Sequence, residues 1–298
     1  MKFLYTSLIL CIMMVSVTAL SAQEVPQLDT KPQISDAYPG LSLPIPEEVI
    51  SQEKGLKAIN AQLVKPGQKG ASQEVALQEV FLFDTLGHYT QKVNMVPGDT
   101  QAVQYFNYSA GILNWQVYED RDWNRRYRCG YRFDEEEKIF QVKSYELLTE
   151  DDLMLLETEH YVYQDASKPK VVLNIENDEV RKARHYVYDE AGRTTACITR
   201  DEVGNVLEEQ RYAYGAQSGD KPVSEIHIAN NHREEYRYSY GANSRLEGIA
   251  FLKDDQLQYK VKYSYDEKGR LTEMKRESKV NPLPYAEVIQ LAYEYYQD

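Results

Sequence analysis

Five residues that carry or can acquire positive charge recur at one position of a repeating pattern. His160, His185, Arg211, Arg237 and Lys262 each stand three residues before the second of two closely spaced tyrosines. Side chains alternate between the faces of a strand, so a residue three before a tyrosine points away from it. If equivalent strands line up, the five form a basic row opposite the tyrosines, a possible binding row for an anion or partner; a solvated outer face is the plainer alternative. On a chain with Lys+Arg 34, Asp+Glu 47 and net charge -13, such a row reverses the local sign and could receive an anionic partner. The same net charge argues against a nucleic-acid binder that tracks phosphates.

Other chemistry finds less support. The five histidines (88, 160, 185, 227 and 232) show no spacing of a helical or hairpin metal site and have no cysteine nearby, so no metal or cofactor is expected. Acidic clusters at Asp134 to Glu137, Glu150 to Asp152 and Asp254-Asp255 fall in predicted turns. Glycoside hydrolysis needs two carboxyls facing each other across a cleft, and these spacings do not place them so. No loop has the alternating acidic spacing of a calcium cage. G-x-S-x-G, H-E-x-x-H and phosphate-cradling glycine loops are absent from the sequence. No catalytic residue is assigned, and a secreted hydrolase using loop carboxylates is the alternative to a binding protein.

The elements that would position the basic row are set by the aromatics. The chain holds 25 Tyr, 7 Phe and 2 Trp. Two aromatics separated by one residue recur nine times, from Phe81-Leu82-Phe83 through Tyr186-Val187-Tyr188 to Tyr293-Glu294-Tyr295. The second aromatic falls at 83, 108, 133, 163, 188, 214, 240, 265 and 295, a period of 25 to 30 residues. Each pair marks one face of a strand. A turn follows, clearest in Asp189-Glu190-Ala191-Gly192-Arg193 and Asp266-Glu267-Lys268-Gly269-Arg270, where Asp accepts backbone N–H bonds and Gly takes positive φ. A second alternating run completes a hairpin. The expected fold is all-β: an antiparallel meander of about nine two-stranded repeats, 17 or 18 strands, forming a curved or spiral sheet or a partly closed shell.

The run Tyr186 to Arg193, followed by Asp201-Glu-Val-Gly-Asn205, resembles the YD repeat of bacterial RHS-type proteins, as does Tyr263 to Leu271. Phe81 to Gly87 and Tyr238 to Leu246 are looser copies. The resemblance covers residues 75–298 by period and two copies by strict motif. It implies repeats that coil into a β-shell on a secreted or surface-displayed protein. Full-length members carry a longer array and a C-terminal effector, whereas this chain stops within its ninth repeat, so a toxin-enclosing role is not expected and a fragment-like relative is the alternative.

Residues 1–22 carry Lys2, an apolar run and small residues at Ala19, Ser21 and Ala22, which reads as a signal peptide rather than a membrane anchor. Residues 23–74 hold six of the eleven prolines and read as a linker or loosely packed N-terminal segment, with a possible short helix between Glu47 and Val64. Residues 75–298 form the repeat domain. Cys129 and Cys197 could pair in an oxidising compartment, although two small, half-buried residues are the simpler expectation. With mean hydropathy -0.61 and strands too rich in cations to face lipid, the mature chain is expected not to span a membrane. The expectation is an exported protein, periplasmic or secreted, that acts as a binding or scaffold module at the envelope. Its partner would be a glycan or a protein, with exposed rim tyrosines stacking on sugar rings.

Overall fold

The computed structural model describes residues 55–65 and 74–296, apart from 110, 122–123, 150–151, 164–167, 216–217, 242–243 and 279–285. The expected signal peptide lies outside the described residues. Eighteen strands follow in chain order: β1 (Leu56–Lys65), β2 (Glu74–Phe83), β3 (Tyr89–Val96), β4 (Asp99–Ser109), β5 (Ile112–Asp120) and β6 (Arg125–Phe133). Next come β7 (Ile139–Leu147), β8 (Leu153–Tyr163), β9 (Pro169–Glu176), β10 (Glu179–Tyr188), β11 (Thr194–Asp201) and β12 (Val206–Tyr214). The last six are β13 (Pro222–Ala229), β14 (His232–Tyr240), β15 (Leu246–Lys253), β16 (Gln256–Tyr265), β17 (Leu271–Ser278) and β18 (Ala286–Tyr295). Every strand pairs antiparallel with its sequence neighbours, and β1 also pairs with β18 over Leu56–Val64.

That last pairing corrects the open curved or spiral sheet expected from the repeats: the meander closes into an 18-stranded barrel. The closing strand comes from the Pro-rich segment, where residues 56–65 are extended rather than helical. Gly55 turns into it at φ 80°, and Ile59 and Ala61 bury completely in the seam. Closure satisfies the two rows of backbone groups that an open sheet would leave at its edges.

The recurring motif is a device for registering one hairpin on the next. At the second aromatic of each of the first eight copies (Phe83, Tyr108, Phe133, Tyr163, Tyr188, Tyr214, Tyr240 and Tyr265) the pairing slips by a bulge, which sharpens local twist. The tyrosine hydroxyl then reaches back one repeat. Tyr188 donates to Pro169 O at 2.7 Å, Tyr214 to Thr194 O at 2.7 Å, Tyr240 to Pro222 O at 2.9 Å and Tyr265 to Leu246 O at 2.6 Å. Each accepting residue is the strand partner of the preceding repeat's tyrosine. A cation at the end of each turn covers the next tyrosine: Lys168 over Tyr188, Arg193 over Tyr214, Lys221 over Tyr240 and Arg245 over Tyr265, at 4.5 to 6.0 Å from the ring centre. In the ninth copy the residue that makes these contacts is Tyr293, which donates to Leu271 O at 2.8 Å under Arg270. The ninth aromatic pair is therefore two residues out of register with the other eight.

The turns follow the chemistry of their aspartates. Asp189 Oδ1 accepts the Arg193 N–H at 2.8 Å while its Oδ2 holds Arg193 Nε at 2.8 Å, and Asp266 holds Arg270 in the same way. Asp84, Asp134 and Asp201 each accept two backbone N–H bonds from their own turns. At the opposite end of the barrel, Asn177-Asp178, Asn230-Asn231 and Asp254-Asp255 have positive φ at both central residues, the signature of tight type I′ hairpins.

Crossing one hairpin along the paired residues always lands two residues short of the equivalent position. Glu159 leads through Asn174 to Lys182, whereas its counterpart is Arg184; Gln210 leads through His227 to Glu234, whereas its counterpart is Tyr236. Two residues at each of nine crossings, seam included, give a shear of 18 for 18 strands. Equal shear and strand number correspond to a strand tilt of roughly 36°. The aromatic face points inward. On the seam side the interior is closely filled, with Ile59, Leu271 and Met274 fully buried. Around β10 to β12 the inward Tyr186, Tyr188, Tyr212 and Tyr214 are only partly buried. The outer face alternates strongly charged strands, such as β14 with Arg233, Glu235 and Arg237, with small and aliphatic ones, such as β15 with Gly248, Ala250 and Leu252.

Candidate functional site

The five basic residues singled out by spacing all lie on the outer face, alternating with inward tyrosines. The two-residue stagger separates each from the next by roughly 12 Å, given the spacing of strands and residues. Two of them are tied down by carboxylates on their own strands. Arg211 makes two bonds to Glu209, at 2.8 and 3.0 Å, and Arg237 makes two to Glu235, at 2.7 and 3.2 Å. His160 is bonded to Gln141 at 2.9 Å, His185 lies between Val171 and Ile198, and Lys262 pairs across to Lys275. The five do not converge on one point.

The repeat tyrosines are not free to stack on sugars. They line the inside of the barrel, and their hydroxyls are used by backbone carbonyls. The acidic turn residues do not converge either. Asp134 and Glu137 bond within their own turn, and Asp254 holds the Arg233 N–H at 2.9 Å.

Inside the barrel, β8 to β10 carry a buried polar network that the sequence did not single out. Glu157 accepts a bond from the Asn174 side chain. Tyr161 donates to Glu159 Oε2 at 3.0 Å, and Arg184 approaches Glu159 Oε1 at 3.6 Å and the Tyr186 hydroxyl at 3.4 Å. Burial, with the Glu159 charge adding to it, pushes Glu157 up to about 7. One carboxyl is thus biased towards the protonated form while its neighbour is held by a guanidinium. Both side chains are nearly inaccessible (2% and 4% exposed), so the pair has no surface to offer a substrate.

An outward concavity lies elsewhere, around Gly130 at the centre of β6. Pairing sets Trp115 of β5 and Lys143 of β7 on either side of it. Along β6 its outward neighbours are Arg128, which pairs with Val117 and Tyr145, and Arg132, which pairs with Gln141. The missing side chain at Gly130 leaves a cleft of about 250 Å³ lined by Trp115, Arg128, Arg132, Lys143, Tyr145 and Leu153, among others. A glycine inside a strand characteristically marks such an approach site. Nothing lies within 4 Å of where a Cβ on Gly130 would stand. The Arg128 guanidinium sits 5.3 Å from the Trp115 ring centre. Among the described residues no carboxylate forms an ion pair with Arg128, Arg132 or Lys143, whereas Arg126 just below is paired with Glu119 at 2.9 Å. The cleft combines two aromatic walls with three uncompensated cations. No group of three or more metal-ligating side chains is clustered among the described residues, and no helix there is long and apolar enough to cross a membrane.

No protein-family model matches the chain, and no curated protein matches it. The YD-repeat resemblance therefore remains one of motif. Among solved structures, a porin-like protein from Bacteroides uniformis matches at 7% identity and TM-score 0.43, over 80% of this chain and 98% of that one. The Tc holotoxin pore of Photorhabdus luminescens matches at 13% identity and TM-score 0.34, over 72% of this chain and 14% of that one. A TcdB2–TccC3 structure lacking its hypervariable C-terminal region matches at 11% identity and TM-score 0.21, over 79% of this chain and 16% of that one. This chain thus spans about a seventh of each toxin chain. With TM-scores all below 0.5, these likenesses settle neither fold nor function, and the closed barrel rests on its own strand pairing.

Proposed function

We propose that this chain is an exported, soluble β-barrel that serves as a binding or scaffold module at the bacterial cell envelope, with a carbohydrate as its partner. The observation that carries the reading is the Gly130 cleft, an aromatic-walled concavity open on the outside of a rigid sheet. Aromatic side chains give large contact area at low entropic cost, which suits recognition of a sugar ring. Export rests on the segment Met1 to Ala22.

A membrane-spanning role does not fit the surface. Lipid-facing strands need an apolar band, and an outward Lys or Arg at the bilayer midplane costs about 2–4 kcal/mol. Here Arg132, Arg211, Arg237, Lys260 and Lys262 all project outward. A catalytic role has less support: Glu157, whose carboxyl is raised to about 7, is buried in the wall.

The reading is tested by expressing the full chain in a bacterial host, fractionating the cells and probing the exported protein on a glycan array. The expected result is protein in the periplasm or medium without detergent, and reproducible glycan binding that is lost in Trp115→Ala. Recovery only in detergent-extracted membranes, or a blank array with folded protein, contradicts it.

A further inference from the structure

We infer that the Gly130 cleft selects acidic sugars, taking a hexuronic acid residue with its ring between Trp115 and Tyr145 and its carboxylate on the surrounding cations. The inference rests on the carbohydrate-binding reading and specifies its ligand class.

Three observations carry it. Several outward cations elsewhere on the barrel are neutralised by a neighbouring carboxylate, as Arg211 is by Glu209, Arg237 by Glu235 and Lys275 by Glu277. Arg128, Arg132 and Lys143 form no such pair among the described residues, and all three border one concavity. On a chain of net charge -13, three uncompensated cations around one opening make a local positive site that draws a single anionic group. Arginine's planar fork matches a carboxylate with two parallel bonds, and two arginines flank the glycine on its own strand.

The size of the opening also limits the ligand. About 250 Å³ lies just under the range of pockets that enclose drug-sized molecules, which suits one ring rather than an extended chain. An acidic peptide recognised by strand addition would need a free sheet edge, and closure through β1 leaves none among the described strands. A sugar ring with an apolar face and a carboxylate uses both halves of the lining.

The test is titration of the purified full chain with a tetragalacturonate and with its carboxyl-reduced neutral counterpart, followed by calorimetry and tryptophan fluorescence. The expected result is binding of the acidic oligomer at least tenfold tighter than the neutral one, weakening as salt is raised. Trp115→Ala and Lys143→Gln should each weaken it tenfold or more, and Arg211→Gln, from the outer face away from the cleft, should leave it unchanged. Gly130→Val keeps an ordinary strand conformation and fills only open space, so it should abolish binding while circular dichroism and melting stay near those of the parent.

Equal affinity for the two oligomers overturns acidic selectivity but leaves carbohydrate binding standing. Acidic binding that survives Gly130→Val places the site elsewhere and overturns the assignment. Absence of binding to either oligomer by folded protein, with capture of an Asp/Glu-rich peptide instead, overturns both.

Discussion

At the scale of single residues, the strongest pH lever is Glu157. Its carboxyl is raised by burial and by the Glu159 charge to about 7, against an ordinary value of 4.5. Between those limits the folded state holds a proton that the unfolded state releases, so Glu157 draws stability down as pH rises from about 4.5 to about 7. The full effect is on the order of 3 kcal/mol at one pKa unit per 1.36 kcal/mol. Glu157→Gln should raise the urea midpoint at pH 8 and change it little at pH 4.5; equal effects at both would show that the carboxyl is not strained by its surroundings. The turn aspartates act in the opposite sense. Their bonds, led at Asp189 by the Arg193 side chain and at Asp266 by the Arg270 N–H, hold those carboxyls below the usual range, so their contribution is lost on acidification. The alternation of His160, His185, Arg211, Arg237 and Lys262 with the tyrosines was legible from spacing alone. Their dispersal was not, because stagger and the local carboxylates at Glu209 and Glu235 appear only once strands are paired. The Gly130 cleft left one faint trace, a glycine inside an alternating strand near one of two tryptophans, and only the register of β5, β6 and β7 joins Trp115, Gly130 and Lys143 into a row.

At the scale of the hairpin, each repeat is locked to the one before it by a tyrosine hydroxyl and a cation over the ring. Tyr265→Phe removes the bond to Leu246 O while keeping the ring under Arg245, and should cost about 1 kcal/mol, read as a lower melting temperature without loss of fold. Gly192 has φ of 81°, and a Cβ there would meet only the end of the flexible Lys168 side chain, which can swing aside. Gly192→Ala and Gly204→Ala, the latter at φ 93° in open space, should each destabilise by about 1 kcal/mol, the backbone cost of positive φ, read as a lower melting temperature. An unchanged melting temperature in both would contradict the left-handed turn conformation. The hairpins, their turns and the inward tyrosine face were legible because period-two alternation and the Asp–Gly turn chemistry are local. The strand β1 was not: its setting among prolines and glycines, where a short helix is expected between Glu47 and Val64, hid a strand whose partners lie at the two distant ends of the array. The ninth copy misled for a related reason, since Tyr295 has the spacing of the motif and Tyr293 has its contacts.

At the scale of the whole molecule, closure follows from a constant two-residue step taken nine times, with β1 supplying the last rung. A locally read repeat predicts curvature and cannot say whether the ends meet; that depends on total shear and on one strand outside the repeat. Closure also explains why a chain with so much strand has no exposed edge among the described pairings to seed association, and why the outer surface, rather than an edge, is where a ligand meets it. The most direct test is covalent. Gln62 of β1 and Gln290 of β18 stand opposite each other across the seam, and Gln62 also stands opposite Gln78 of β2. In a Cys129→Ser, Cys197→Ser background, the pair Gln62→Cys and Gln290→Cys should oxidise to an intramolecular disulfide in a monomer, as should the control pair Gln62→Cys and Gln78→Cys, because paired strands hold Cα atoms within disulfide reach. Cross-linking of the control pair with the seam pair remaining reduced would mean an open sheet, and would contradict the closed barrel.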